Sequence, residues 1–211
     1  MIFKLADIVC RETAVRLCNE LPRGNGPVEA CSQSGPGDGV DVAGRQLVDI
    51  LLAHPLFRLV VQPRAFSPPR LRLHAVGTHA NPTIDDAIVD SLGLIRADVT
   101  ICVFLNDPSE YDEGELVINA GNGDEVFKES IGTCIIYPSA ALRRVEPVKK
   151  GNCWTAELHA QSLIRGQAER QILYDIGCAS HFLETFGDRN APNAVRLHRC
   201  REQLLRMWAE T

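Results

Sequence analysis

Cys153, Thr155, Glu157 and His159 stand two residues apart in and beside a run of β-type residues, Trp154–His159. Side chains two apart on a strand share a face, so the four are expected to line one surface together. Glu157 beside His159 has the makings of a general acid–base pair, because histidine titrates near neutral pH. Cys153 on the same face invites a nucleophile reading, although a lone cysteine is more often inert. By the same alternation Thr100, Cys102 and Phe104 share a face on a second run, Val99–Leu105. The eight cysteines (10, 18, 31, 102, 134, 153, 178 and 200) include no Cys-x-x-Cys pair, and several sit in apolar runs. They read as reduced, structural thiols rather than a zinc site or a disulfide framework. His54, His181 and His198 fall in helical or loop contexts and read as surface residues. Gly121-Asn122-Gly123-Asp124 has no helix after it, so it is a hairpin turn and not a phosphate cradle.

The elements that must position these residues change character along the chain. Ala14, Leu17, Cys18 and Leu21 recur at helical spacing before a stop at Pro22-Arg23-Gly24-Asn25-Gly26-Pro27. Residues 31–40 are turn-rich and read as a surface loop. Asp41 is placed to cap a second helix whose face is Leu47, Ile50, Leu51 and Leu52, ended by His54-Pro55. Short β-type runs follow: Arg58–Gln62, Arg70–Ala75, Val99–Leu105, Glu115–Ile118, Thr133–Tyr137 and Trp154–His159. Many short strands between turn clusters argue a sandwich or barrel. Leu197, Cys200, Leu204 and Trp208 form one helical stripe near the end, which must pack on something. The expected organisation is a helical support region over 1–56, a β core over 57–162 and C-terminal helices over 163–211, all one compact domain.

Composition narrows the function classes. The chain has 211 residues, 45% hydrophobic and 23% charged, with a formal net charge of −5. That charge gives no whole-chain attraction to nucleic acid or to an anionic membrane. No run approaches the roughly 18 apolar residues of a membrane span, and the first residues lack the apolar core of a signal peptide. A cytoplasmic protein is expected.

Four stretches, in order, resemble the PKHD-type hydroxylases, relatives of prolyl 4-hydroxylase among the iron(II)/2-oxoglutarate dioxygenases. They are Arg96-Ala97-Asp98-Val99 running into Phe104-Leu105-Asn106-Asp107-Pro108; Tyr111-Asp112-Glu113-Gly114-Glu115-Leu116-Val117-Ile118; Tyr137-Pro138-Ser139 through Leu142-Arg143-Arg144-Val145-Glu146-Pro147-Val148; and Gln161-Ser162-Leu163-Ile164-Arg165. The closing Leu204-Leu205-Arg206-Met207-Trp208 also resembles that family. The resemblance spans roughly residues 60–210 and implies a mainly β fold, a double-stranded β-helix (jelly roll, cupin-like) with flanking helices.

It also implies a facial triad of His-x-Asp plus a distant His, and an Arg ten residues further on that pairs with the far carboxylate of 2-oxoglutarate. Here the distant His position reads Arg143, which has no lone pair to offer a metal. The 2-oxoglutarate Arg reads Cys153, and a neutral thiol cannot make the bidentate pair. The His-x-Asp motif falls on Thr83-Ile84-Asp85 without gaps, or on His79-Ala80-Asn81 after a slide of four; neither register is complete. The family's first-strand Tyr maps to His74.

The emptied pocket is therefore expected to hold Asp85, Arg143, Glu157, His159 and His74, with Thr100, Cys102, Phe104, Cys153 and Thr155 on its walls. Arg143 with Asp85 as counterion would replace iron as a fixed cation, able to hold a substrate carboxylate or stabilise an enolate-like anion. The leading expectation is a metal-independent, non-oxidative enzyme on a small acidic metabolite, as a biosynthetic step, with neither iron(II) nor 2-oxoglutarate. Two alternatives stand beside it. One is a non-catalytic ligand-binding or interaction protein. The other is an iron(II)/2-oxoglutarate hydroxylase with a metal site rebuilt from His79, Asp85 and His159 or Glu157. The outer side of the C-terminal helices could support a homodimer.

Overall fold

The computed structural model describes residues 1–21, 38–77, 81–90, 93–187 and 192–210, and its strands are organised around one long strand near the end of the chain. The elements run β1 (Phe3–Leu5), α1 (Arg11–Glu20), α2 (Asp38–Ala53), α3 (Pro55–Val61), β2 (Pro63–Phe66), β3 (Arg70–Ala75), β4 (Ile88–Asp90), β5 (Leu94–Arg96) and β6 (Val99–Phe104). After a 3-10 turn, Pro108–Glu110, come β7 (Tyr111–Glu113), β8 (Leu116–Asn119), β9 (Asp124–Phe127), β10 (Cys134–Pro138), β11 (Leu142–Val145), β12 (Val148–Ser162), α4 (Gln167–Phe186) and α5 (Pro192–Trp208).

Strand β12 pairs antiparallel with β6 along one edge and with β3 along the other, so Thr155 stands opposite both Phe104 and Arg72. It also pairs with β7 near its start and with β2 at its end. Strands β10 and β1 extend this seven-stranded sheet beyond β6, while β11, β8 and β9 form a separate three-stranded sheet. Alternation sorts the side chains of β6 and β12 between two cores. Ile101, Val103, Ala156, Leu158 and Ala160 pack with Leu17, Leu47, Leu51 and Phe57 of the N-terminal helices. Cys102 and Phe104 face the other way and pack with Leu116, Ile118, Ile135, Tyr137 and Val145, which joins the two sheets. Two antiparallel sheets around a shared interior, braced by helices on the outer face, are the jelly roll that the sequence motifs implied.

The helical face of α1 is as expected, with Ala14, Leu17 and Leu21 buried. Helix α2 begins before Asp41, which therefore lies inside it rather than capping it. Its face is Leu47 and Leu51, with Ile50 and Leu52 only half-buried. The stop at 22–27 lies outside the described residues, as does the expected loop at 31–40 up to residue 37; its last three residues, Asp38–Val40, are instead the first turn of α2. Arg58–Gln62 is a correction: it belongs mostly to α3, not to a strand. Pro55 presets the first helical turn, the His54 side chain accepts from Phe57 N at 3.4 Å, and Phe57, Val60 and Val61 bury at helical spacing. The β-branched residues there pointed to a strand, but the cap and the proline decide otherwise. His54 is thus a capping residue, while His181 and His198 are exposed. Gly121–Gly123 turn the β8–β9 hairpin, and both glycines have positive φ. On α5, Leu197, Leu204 and Trp208 are half-covered and Cys200 is exposed; the helix packs on α4. The seven described cysteines are all free thiols. No helix among the described residues is long and apolar enough to cross a membrane.

Candidate metal centre

Strand β12 delivers Glu157 and His159 to the interior face, as alternation requires, and fixes them from behind. The His159 backbone exchanges hydrogen bonds with Ser67, donating to Oγ at 2.9 Å and accepting from Ser67 N at 2.8 Å. Asp85 arrives from the connection between β3 and β4. That segment is zipped against β11: Thr83 and Arg143 exchange backbone hydrogen bonds, each 2.8 Å, and Asp85 N donates to Ser139 O at 3.3 Å. Thr83-Ile84-Asp85, one of the two registers for the His-x-Asp motif, thus lies beside Arg143. His79 lies outside the described residues.

Asp85, Glu157 and His159 converge, and one donor atom from each lies within 4.8 Å of the others. Arg143 reaches between the carboxylates, donating from Nε to Asp85 Oδ1 at 2.8 Å and from Nη2 to Glu157 Oε1 at 3.0 Å. All three side chains are at most 8% exposed. Arg72 stands behind Glu157, its Nη2 3.7 Å from Oε1. Burial pushes the Glu157 carboxyl up, but the Arg143 and Arg72 guanidinium groups outweigh it and hold it below the usual carboxylate range. Burial disfavours a charged Arg143, yet the carboxylates of Glu157 and Asp85 keep it firmly protonated.

The tautomer of His159 follows from its partners. The Thr100 hydroxyl donates its one proton to Asp85 Oδ2 at 2.7 Å. Its lone pairs must then accept from Ser139 Oγ at 2.8 Å and from His159 Nδ1 at 3.1 Å. With the proton on Nδ1, Nε2 carries a lone pair and lies 3.9 Å from Glu157 Oε1. Burial, stronger than the opposing pull of Glu157 and Asp85, lowers the His159 pKa and favours this neutral form. A neutral imidazole whose second nitrogen is fixed by a hydrogen bond is the arrangement that metal-ligating histidines use.

Beside this cluster a narrow cavity is lined by His74, Cys102, Phe104, Arg143, Cys153, Thr155 and Glu157, together with Tyr137, Leu116 and Val145. Each expected wall residue lies there except Thr100, which instead links Asp85 to His159. Cys153 is 1% exposed and burial pushes its thiol up to about 11, so it is protonated at neutral pH and no nucleophile. His74, opposite Cys153 on β3, is driven down to about 4, chiefly by burial. The expectation of a dismantled metal-ligand set is revised: two carboxylates and an imidazole converge, although not the set that the motifs suggested. Sequence reasoning missed Arg72, Ser139 and Tyr137. Arg72 was within reach, because it stands two residues before His74 and so shares its face.

His74 gives the site a pH signature. Its pKa is 6.5 in the unfolded chain and about 4 in the fold, so on acidification the unfolded state takes the proton first. Stability should fall by roughly 3 kcal/mol between about pH 7 and pH 4. Glu157, held low, adds its loss only below the ordinary carboxylate range. Urea unfolding at stepped pH checks this, and His74→Asn should flatten the decline; an unchanged slope would mean that His74 is not buried neutral.

No protein-family profile matches the chain. Curated proteins do. The chain is 34% identical over 177 residues to a PKHD-type hydroxylase of Rhizorhabdus wittichii, covering 82% of this chain and 78% of that protein. It is 34% identical over 191 residues to a PKHD-type hydroxylase of Paraburkholderia phymatum, covering 88% and 83%. Among solved structures, a Pseudomonas putida prolyl-4-hydroxylase superposes with a TM-score of 0.51 at 14% identity, covering 76% of this chain and 92% of that one. A Trichoplax adhaerens prolyl hydroxylase, in complex with a hypoxia inducible factor peptide fragment, gives 0.54 at 12% identity, covering 81% and 86%. At such identities these structures speak for the fold alone.

Proposed function

The chain belongs to the PKHD-type hydroxylases, and from that premise we propose that it is a metal-dependent oxygenase whose ion is held by Asp85, Glu157 and His159. The observation that carries this is the convergence of the three donors within 4.8 Å, with the Nε2 lone pair of His159 left free by the Thr100 hydrogen bond. The donors fit the ion in kind: carboxylate oxygens and an imidazole, without thiolate, suit iron(II) or manganese(II). When bound, the ion supplies oxygen activation. The chain's own groups do the rest. Thr100 orients both Asp85 and His159, Ser139 completes the hydroxyl's bonds, and Arg143 competes with the ion for the two carboxylates. The chain's residues do not fit 2-oxoglutarate in the family manner, because the thiol of Cys153 stands where its far carboxylate needs a guanidinium.

A second reading has its own support. Arg143 bridges Asp85 and Glu157 at 2.8 and 3.0 Å, so a fixed cation already fills the gap between them. On that reading the pocket holds a small carboxylate and works without metal. Anaerobic calorimetry with iron(II) or manganese(II), paired with metal analysis, separates the two. One-to-one saturable binding, weakened at least about 10-fold in His159→Ala, is expected. No saturable uptake, or uptake indifferent to His159→Ala, would overturn the metal reading in favour of the cation-centred one.

A further inference from the structure

We infer that the cleft between the start of α4 and strands β1, β6 and β10 binds a small monocarboxylic acid with an apolar body, its carboxylate held by Arg170. This site is separate from the metal centre and does not rest on the oxygenase reading.

Arg170 is 8% exposed, yet none of its acceptors is a carboxylate. Among the described residues only Nη1 is bonded, donating to Ile164 O and to Arg165 O, both at 2.8 Å. Two neutral carbonyls fix the guanidinium in place without neutralising it. Burial therefore lowers its pKa, with Asp98 attracting it only through space, whereas the hydrogen bonds of Asp98 shift Arg96 up. The edge left over on Arg170, Nε and Nη2, is the edge with which Arg96 grips both oxygens of Asp98, at 2.7 and 2.9 Å.

Arg170 lines a half-open cleft with about 370 Å³ of empty space, its mouth included. The closed end has room for about two waters, enough for a carboxylate group and no more. The walls Phe3, Val60, Val99, Ile136 and Tyr174 are mostly apolar, so they suit an aliphatic or aromatic body and offer nothing to a second charge. Gln167 stands at the rim on the first turn of α4, where the helix start also favours a negative group. Val99 and Ile136 belong to the core under the N-terminal helices, while Cys102, Phe104 and Tyr137 face the other way, so β6 and β10 lie between this cleft and the metal centre.

The test is calorimetry with benzoate and with butyrate, on the protein with and without manganese(II). The expected result is one-to-one saturable binding, unchanged by manganese and weakened at least about ten-fold in Arg170→Gln. Arg170 also ties down the two carbonyls ahead of α4, so Gln167→Glu serves as a second variant. That position is exposed, tolerates an acid at a helix start, and places a negative charge at the rim. It should weaken binding at least about three-fold. No saturable binding below about 10 mM, or binding that a folded Arg170→Gln leaves unchanged, overturns the inference. If Arg170→Gln does not fold, unchanged binding in Gln167→Glu overturns it instead. Binding that manganese abolishes also overturns it, because the acid then sits at the metal centre.

Discussion

Arg143→Ala is expected to lose about 3–5 kcal/mol of folding stability at neutral pH, and manganese(II) is expected to return much of it. The guanidinium is 8% exposed and donates to Asp85 and Glu157, whose side chains are 5% and 6% exposed. Removing it leaves two carboxylates together in the interior with only Arg72, 3.7 Å from Glu157, to offset them. Breaking a buried pair costs more than the pair contributes net, because the surviving charge stays desolvated. A divalent ion bound by the same oxygens would take over that role and stabilise the folded state by mass action. Denaturant unfolding with and without manganese measures both effects. A loss below about 1 kcal/mol would mean that Arg143 does not hold the cluster. A loss that manganese leaves untouched would mean that the carboxylates are not ligands. Arg143→Leu with Asp85→Leu should recover part of the loss, since apolar replacement of a buried pair is often neutral.

Asp98→Ala is expected to cost about 2–4 kcal/mol, although Asp98 takes no part in the site. Its carboxylate accepts from Arg96 Nε at 2.7 Å and Nη2 at 2.9 Å, and from Ser162 N at 2.9 Å. Arg96 in turn donates to Glu210 at 2.6 Å and to Ser162 O at 3.4 Å. The motif Arg96-Ala97-Asp98 is thus a strut that joins the start of β6, the end of β12 and the last described turn of the chain. Alanine leaves a buried amide and much of a guanidinium without partners. Because β12 carries Glu157 and His159, slackness at Ser162 should also weaken metal binding. Urea midpoints report the first effect and calorimetry the second. A stability change under about 1 kcal/mol would show that Glu210 alone suffices to hold Arg96.

Much of the site was legible because strand alternation is a local rule. Cys153, Thr155, Glu157 and His159 were expected on one face, as were Thr100, Cys102 and Phe104, and the structure has both sets facing inward. The motif Tyr137-Pro138-Ser139 was visible as a string, but not that Ser139 would complete the bonds of Thr100. The strand expected at Arg58–Gln62 failed because its β-branched residues were outweighed by a cap and a proline just upstream.

Residue types and their period of two pointed to a β sandwich or barrel and to its interior faces, while the resemblance to PKHD-type hydroxylases implied the jelly roll and matched Arg143 and Cys153 to that family's distal-ligand and acid-anchor positions. The pairing of Arg143 with Asp85, 58 residues apart, was expected, but tertiary structure alone decided that Arg143 also takes Glu157 and that Glu157 is shared with Arg72. It alone decided that His159 keeps Nε2 free. The physical reason is that alternation is set by each strand's own backbone, whereas ion pairs and tautomers depend on register between segments far apart in sequence.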